Sequence, residues 1–316
     1  MAHALVTGAA GFIGSTLTDR LLADGVRVTG VDAFTDYYDV SLKRRNIADA
    51  LRHRGFELVE LELGTADLAR LPDVDVVFHN AAQPGVRASW GSEFAAYTHH
   101  NVLVTQRLLE RYKRSKLERF VYASSSSIYG DAEAFPTSES MLPRPFSPYG
   151  VTKLAGEHLA MLYGRNFGIP VAALRYFTVY GPRQRPDMAF HRFCRAMLGG
   201  EPITVYGDGR QSRDFTFVSD AVEANVRAWK RAAPQGVYNV GGGSQVEVLE
   251  AISLLEKSLG RKARVNLEPR PAGDPLRTRA DATRLAADLG YATAVGIADG
   301  LAAQAEWARS LYGGVR

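Results

Sequence analysis

Residues 6–14 read VTGAAGFIG, and the reading of this stretch decides the fold. It joins the apolar run HALVTG, from His3, to the run IGSTLTDRLLADG, which ends at Gly25. The first has the length of a short buried strand and the second the apolar spacing of a helix. Gly8, Gly11 and Gly14 fall between them. Glycines there permit a tight turn and let backbone N–H groups approach a pyrophosphate at the helix N-terminus. Phe12 and Ile13 belong to the same turn. The spacing is GxxGxxG rather than the commoner GxGxxG, so its context carries the argument. The next strand, VRVTGVD, ends on Asp32. A carboxylate at that point accepts hydrogen bonds from a ribose diol and repels a 2′-phosphate. Ala33 and Phe34 follow, with no arginine immediately there, so NAD is expected rather than NADP.

The alternation of strand and helix continues. FELVELEL and VDVVFHNAA read as strands, NVLVTQRLLERYKRS as a helix and RFVYASSS as a strand, and PVAALRYFTVYG follows a further helix. Such alternation implies a parallel sheet covered by helices on both faces. After about residue 180, proline, glycine and arginine thicken in GPRQRPDM, YGDGRQSRD and EPRPAGDPLRTRAD. The expected organisation is a doubly wound α/β unit over 1–180 and a smaller mixed α/β unit over 181–316. Residues 216–241 (DFTFVSDAVEANVRAWKRA and GVYNVGG) would return to the first.

The formal charge of +4 is mild and its basic residues are dispersed, which gives no nucleic-acid arm but suits a small anionic substrate. The single cysteine, Cys194, excludes an intrachain disulfide and suits a reducing compartment. No apolar run is long enough to span a membrane, and the first residues enter a strand without a signal-peptide pattern, so a cytoplasmic location is expected. No metal site is expected.

The run SPYGVTKLAGEHLA, residues 147–160, reads as a helix whose only proline precedes its body. Tyr149 and Lys153 are four apart and share a face. A free tyrosine titrates near pH 10, and a nearby positive charge favours the phenolate. Tyr149 is therefore expected to be a general base, with Lys153 lowering its pKa. By itself so short a pattern is more often a surface pair with no role.

Together these residues resemble the extended short-chain dehydrogenase/reductase family, whose nucleotide-sugar epimerases and dehydratases share GxxGxxG and YxxxK. The resemblance covers almost the whole chain. It implies a Rossmann-type fold, tightly bound NAD and a catalytic trio of Ser125, from ASSSSIYG, with Tyr149 and Lys153. It further implies cofactor contacts from Ala81 and Ala82 in HNAAQPGVR, from Asn101, from Leu63 and from Tyr176. The family's adenine-contacting GD(I/L) is LEL here, so Glu62 stands where aspartate is usual and Leu61 replaces the glycine. On the substrate side, VYGDGRQSRDFTFVSDAVEA resembles a diphosphate-binding segment, which points to Val205 and Arg213. PRPAGDP supplies Arg270 as a second phosphate contact and Asp274 as a uridine-ribose contact.

Ser126 and Ser127 bear on the reaction. The family's 4,6-dehydratases carry an Asp–Glu pair at these positions, and its UDP-glucuronate decarboxylases a glutamate at the second, so two serines disfavour both. The segments DYYDVSLKRRNI and RYFTVYGPRQRPDMAF resemble UDP-glucuronate 4-epimerases. UDP-galactose epimerases typically have asparagine where this chain has Thr178. A uronate carboxylate needs hydroxyl or guanidinium donors. Thr178, Ser127 and Arg185 are the candidates, with Ser126, Arg192 and Arg87 nearby in the pattern. The expected activity is therefore UDP-glucuronate 4-epimerisation, and a homodimer is expected through helices 99–115 and 149–165. The alternatives are a neutral or N-acetyl UDP-hexose 4-epimerase, a UDP-glucuronate decarboxylase, or a silent NAD-binding scaffold.

Overall fold

The computed structural model describes residues 1–132, 134–269 and 277–313; Arg270 and Asp274 lie outside the described residues. Among the described residues the strands are β1 (His3–Thr7), β2 (Arg27–Asp32), β3 (Phe56–Glu60), β4 (Val76–His79), β5 (Arg119–Ser125), β6 (Val171–Tyr176), β7 (Thr178–Tyr180), β8 (Ile203–Tyr206), β9 (Ser212–Phe217), β10 (Gly236–Val240), β11 (Ser244–Glu247) and β12 (Val265–Glu268). The α-helices are α1 (Phe12–Ala23), α2 (Val40–Asn46), α3 (Phe94–Tyr97), α4 (Val104–Tyr112), α5 (Pro148–Phe167), α6 (Ala189–Gly199), α7 (Val218–Arg231), α8 (Val248–Leu259), α9 (Thr283–Leu289) and α10 (Ile297–Tyr312).

Seven parallel strands form the main sheet in the order β10-β6-β5-β4-β1-β2-β3, as the Rossmann-type reading expects. Neighbouring strand residues serve opposite faces. Val6, Val28 and Phe78 pack with Leu17 and Leu21 of α1 and Trp229 of α7. Leu5, Val31 and Val77 pack with Leu108 and Leu109 of α4 and Met161 of α5. Each such side chain contributes about 1.5–3 kcal/mol on full burial, and strands apolar on both faces need helices on both. The chain runs outward from β1 to β3, then crosses back to β4 on the other side of β1. That reversal opens a crevice at the carboxyl ends of β1 and β4, where α/β sheets bind ligands.

The run PVAALRYFTVYG divides. It leaves the main sheet at Phe177, whose N–H donates to the Val240 carbonyl at 3.0 Å. β7 then pairs with β9, and β9 with β11, in a three-stranded sheet, while β8 pairs with β12. With α6, α8 and α10 these strands enclose a separate core that includes Tyr180, Phe190, Phe215, Leu255 and Leu301. Residues from 218 on first turn back, with α7 against α1 and β10 along β6.

Candidate active site

Gly8 has φ +66°, and a Cβ there would meet the Ala81 nitrogen at 2.9 Å. A Cβ at Gly14 would run into the Gly8 carbonyl. These glycines bring the start of α1 and the end of β4 together around a cleft of about 230 Å³. Its lining includes Gly8, Gly11, Phe12, Ile13, Gly14, Asp32, Glu62, Leu63, Ala81, Ala82, Tyr149, Lys153 and Tyr176. The Asp32 carboxylate is fixed at this rim: it accepts from Ala10 N at 3.0 Å and Phe34 N at 2.8 Å. Glu62 accepts from the Thr65 hydroxyl at 2.9 Å and stands near His99 and His100.

Asn101 lies behind the loop that lines the cleft. It is buried. Its amide donates to Gln83 O at 3.1 Å and Thr152 Oγ1 at 2.9 Å, and its oxygen accepts from Gln83 N at 2.7 Å. Asn101 thus braces the loop that lines the cleft. Its helix is π-helical over Thr98–Leu103 before α4 begins, a local form frequent near functional sites. Lys43 is a residue the sequence reading missed. It is buried, lines the cleft, and its ammonium donates to Thr35 O at 2.7 Å. Nothing in the local spacing of DYYDVSLK marks a lysine for burial, because α2 must fold back first.

Tyr149 enters through the start of α5. Ser147 caps that helix by accepting from Gly150 N at 3.1 Å, and Pro148 occupies its first turn. Close packing then presses the helix onto the turn that follows β5, since a Cβ at Gly150 would meet Ser127 O at 2.5 Å. Ser125, at the end of β5, accepts from Ser127 N at 3.1 Å, and its hydroxyl acts to lower the pKa of the Tyr149 phenol. The Tyr149 pKa is raised by burial, against the smaller opposing effects of Ser125 and Arg185. Burial also brings the Lys153 amine down to about 7, with Glu157 opposing. The expectation that Lys153 lowers the Tyr149 pKa is therefore not met by this pair of side chains alone: desolvation outweighs the charges around the phenol. Behind them, Glu157 accepts from Arg175 Nη2 at 2.7 Å and from the Ser124 hydroxyl at 2.6 Å.

A second cavity, of about 590 Å³, adjoins the cleft. It is lined by Arg87, Ser125, Ser126, Ser127, Thr178, Arg185, Arg192, Val205 and Arg213, among others. Tyr149, Tyr176 and Arg185 line both spaces. Arg87 places its guanidinium carbon 4.2 Å from the centre of the Tyr206 ring. Four arginines around one cavity favour an anionic ligand. Tyr37 and Asp187 also line it, and the sequence reading had singled out neither.

A cleft at the sheet's switch point, the Asp32 carboxylate at its rim and a Ser–Tyr–Lys group at the mouth of a cationic cavity define a dinucleotide-dependent enzyme of sugar nucleotides. Residues 4–241 match the NAD dependent epimerase/dehydratase family, and the chain belongs to that family. It is 46% identical to an uncharacterized UDP-glucose epimerase of Bacillus subtilis, over 98% of this chain and 99% of that one. It is 38% identical to a probable UDP-glucuronate 4-epimerase of Rhizobium meliloti, over 96% of each. The crystal structure of UDP-glucuronic acid 4-epimerase from Bacillus cereus, in complex with UDP-glucuronic acid and NAD, is 45% identical with a TM-score of 0.95, covering 98% of this chain and 100% of that one. NAD is the cofactor of this family.

Proposed function

We propose that the chain is a UDP-glucuronate 4-epimerase that interconverts UDP-glucuronate and UDP-galacturonate through a 4-keto sugar. The observation that carries this is the position of Arg185, which lines both cleft and cavity together with Tyr149, while hydroxyls rather than acids stand at Ser126, Ser127 and Thr178. The glycine loop, Asp32 and Ala81–Ala82 fit a dinucleotide: a Cβ at Gly8 or Gly14 would collide with the backbone that forms the cradle. Bound NAD supplies a hydride acceptor at the sugar C4 and a positively charged ring.

Tyr149 takes the proton of the C4 hydroxyl and later returns it, and Ser125 holds that hydroxyl. Burial keeps the phenol protonated in the bare site, so positive charge brought close to it on ligand binding favours the base form. Lys153 hydrogen-bonds the nicotinamide ribose. Arg87, Arg192 and Arg213 face the anionic part of the substrate, with Val205 against the uracil side. Arg270 and Asp274 are assigned to phosphate and ribose on the resemblance alone. Residues 1–180 with 216–241 carry the cofactor cleft and also lend Arg87, Ser125, Ser127 and Thr178 to the substrate cavity, whose other side comes from 181–316.

The 4-keto derivative of a uronate is a β-keto acid, which loses carbon dioxide when its carboxylate bond aligns with the carbonyl π-system. Thr178, Ser127 and Arg185 hold the carboxylate out of that alignment, and a glutamate would repel it instead. A neutral UDP-hexose epimerase is the second reading, favoured by the name of the Bacillus subtilis relative. Parallel incubation with UDP-glucuronate, UDP-glucose and UDP-N-acetylglucosamine separates the two.

The enzyme is read as a cytoplasmic homodimer. Leu103 and, on α5, Val151 and Leu162 are exposed at 43%, 48% and 53%, an apolar set that a second copy would cover through paired helices. Light scattering should give twice the chain mass, and a monomer would contradict the pairing. Among the described residues no helix is long and apolar enough to cross a membrane.

A further inference from the structure

Arg185 does not stand alone. Its Nε and Nη2 donate to the two oxygens of Asp187 at 3.0 and 2.9 Å. This is a side-on fork, and it occupies one edge of the guanidinium. Arginine has five N–H donors, so the other edge, Nη1 with the second hydrogen of Nη2, remains to meet another carboxylate. The segment that carries the pair is tied down on either side. Gly181 N donates to Gln304 Oε1 at 3.0 Å, and Arg183, at φ +68°, pairs with Asp19 of α1 at 2.7 Å. Gln184 is buried and accepts from His191 N at 3.0 Å. A turn closed by Met188 N on Arg185 O at 3.1 Å sets Arg185 and Asp187 on one short arc. Tyr37 lines the same cavity as Asp187; burial, and then the charge of Asp187, push its pKa up. Tyr37 follows Asp32 on the cofactor side and lines both spaces.

We infer that Asp187 is a positioning residue: it fixes the guanidinium plane of Arg185 so that the free edge faces the substrate carboxylate. This deepens the functional reading and rests on it. A rotamer-rich arginine loses side-chain entropy when it grips a ligand, and a built-in partner reduces that cost. The rival account uses the same atoms with the opposite sign. If Asp187 merely competed for Arg185, removing it would free the cation and tighten binding of an anion.

The test uses the NAD-loaded enzyme, with Asp187→Ala, Asp187→Asn, Arg185→Ala and the double variant Asp187→Ala/Arg185→Ala. Bound NAD per chain reports folding. Asp187→Ala should raise the KM for UDP-glucuronate by about 10-fold, the lower end of what a charge-assisted hydrogen bond supplies. The affinity for UDP-glucose, as substrate or competitive inhibitor, should change far less. Asp187→Asn, which keeps one acceptor, should fall between. In the Arg185→Ala background Asp187→Ala should add almost nothing, since the two act through one group. An unchanged or lower KM for UDP-glucuronate, equal losses on both sugars, or full additivity overturns the role of Asp187. A parent enzyme that ignores UDP-glucuronate overturns the functional reading instead, and is seen before any variant is made.

Discussion

The amine of Lys153 lies 4.7 Å from the centre of the Tyr122 ring, one helical turn along from Tyr149. The ring belongs to β5 and is fully buried beneath α5. The ammonium is thus packed over an aromatic face with Glu157 the main opposing charge, and desolvation still prevails, bringing its pKa to about 7. A charge buried in this way is disfavoured by the folded protein. Its cost is borne by the fold.

That cost predicts the behaviour of Lys153→Met. In the NAD-free protein the unfolded chain carries Lys153 protonated up to its ordinary pKa of 10.5, whereas the folded chain releases that proton near 7. Unfolding therefore takes up a proton between these values, and the stability of the parent rises with pH there. Lys153→Met removes this dependence. The variant should melt higher than the parent at pH 7, by a few degrees for each kcal/mol relieved, and the gap should close towards pH 10. Calorimetry at several pH values checks it. A variant less stable than the parent at pH 7 would show that Lys153 is stabilising where it stands. Turnover should be lost at every pH.

Tyr149→Phe keeps the ring against Tyr97, whose centroid is 6.2 Å away, and removes only the hydroxyl. NAD content and fold should persist while turnover falls by about 10²–10⁴-fold, the usual share of general acid–base catalysis. Activity within a few-fold of the parent would take Tyr149 out of the mechanism.

Asp32 is held by two backbone N–H groups, which leaves its remaining lone pairs facing the cleft. Cofactor released from denatured enzyme should be NAD. Asp32→Ala should weaken NAD by about 10- to 200-fold, on the 1.5–3 kcal/mol of hydrogen bonds to a charged group. Release of mainly NADP would contradict the assignment.

Arg185→Ala should lower kcat/KM for UDP-glucuronate by a similar 10- to 200-fold and leave UDP-glucose much less affected. It should also leak UDP-pentose, because a loosened carboxylate can rotate into line with the 4-keto group. Pentose by NMR is the readout. Comparable losses on both sugars would move the function to a neutral hexose epimerase.

The parallel sheet was legible because its signals are local. Glycine spacing, apolar strands and Asp32 need no knowledge of distant packing. The division of PVAALRYFTVYG was not legible, since β7 leaves the sheet to pair with β9, some thirty-five residues on. The bonds from Asn101 to Gln83 and Thr152 were not legible either, because they join segments 18 and 51 residues apart. Lys43, Tyr37 and Asp187 reach the site only once loops far apart in sequence converge. The Tyr149 pKa illustrates the same limit: helical spacing gives the neighbour, but burial, a property of the whole fold, sets the sign.

The central claim is tested most directly by following purified enzyme and UDP-glucuronate by NMR, with no cofactor added. The account predicts an approach to equilibrium with UDP-galacturonate, little UDP-pentose and no net reduction of bound NAD. A product that is chiefly UDP-pentose, or no reaction with UDP-glucuronate beside rapid conversion of UDP-glucose, would contradict it.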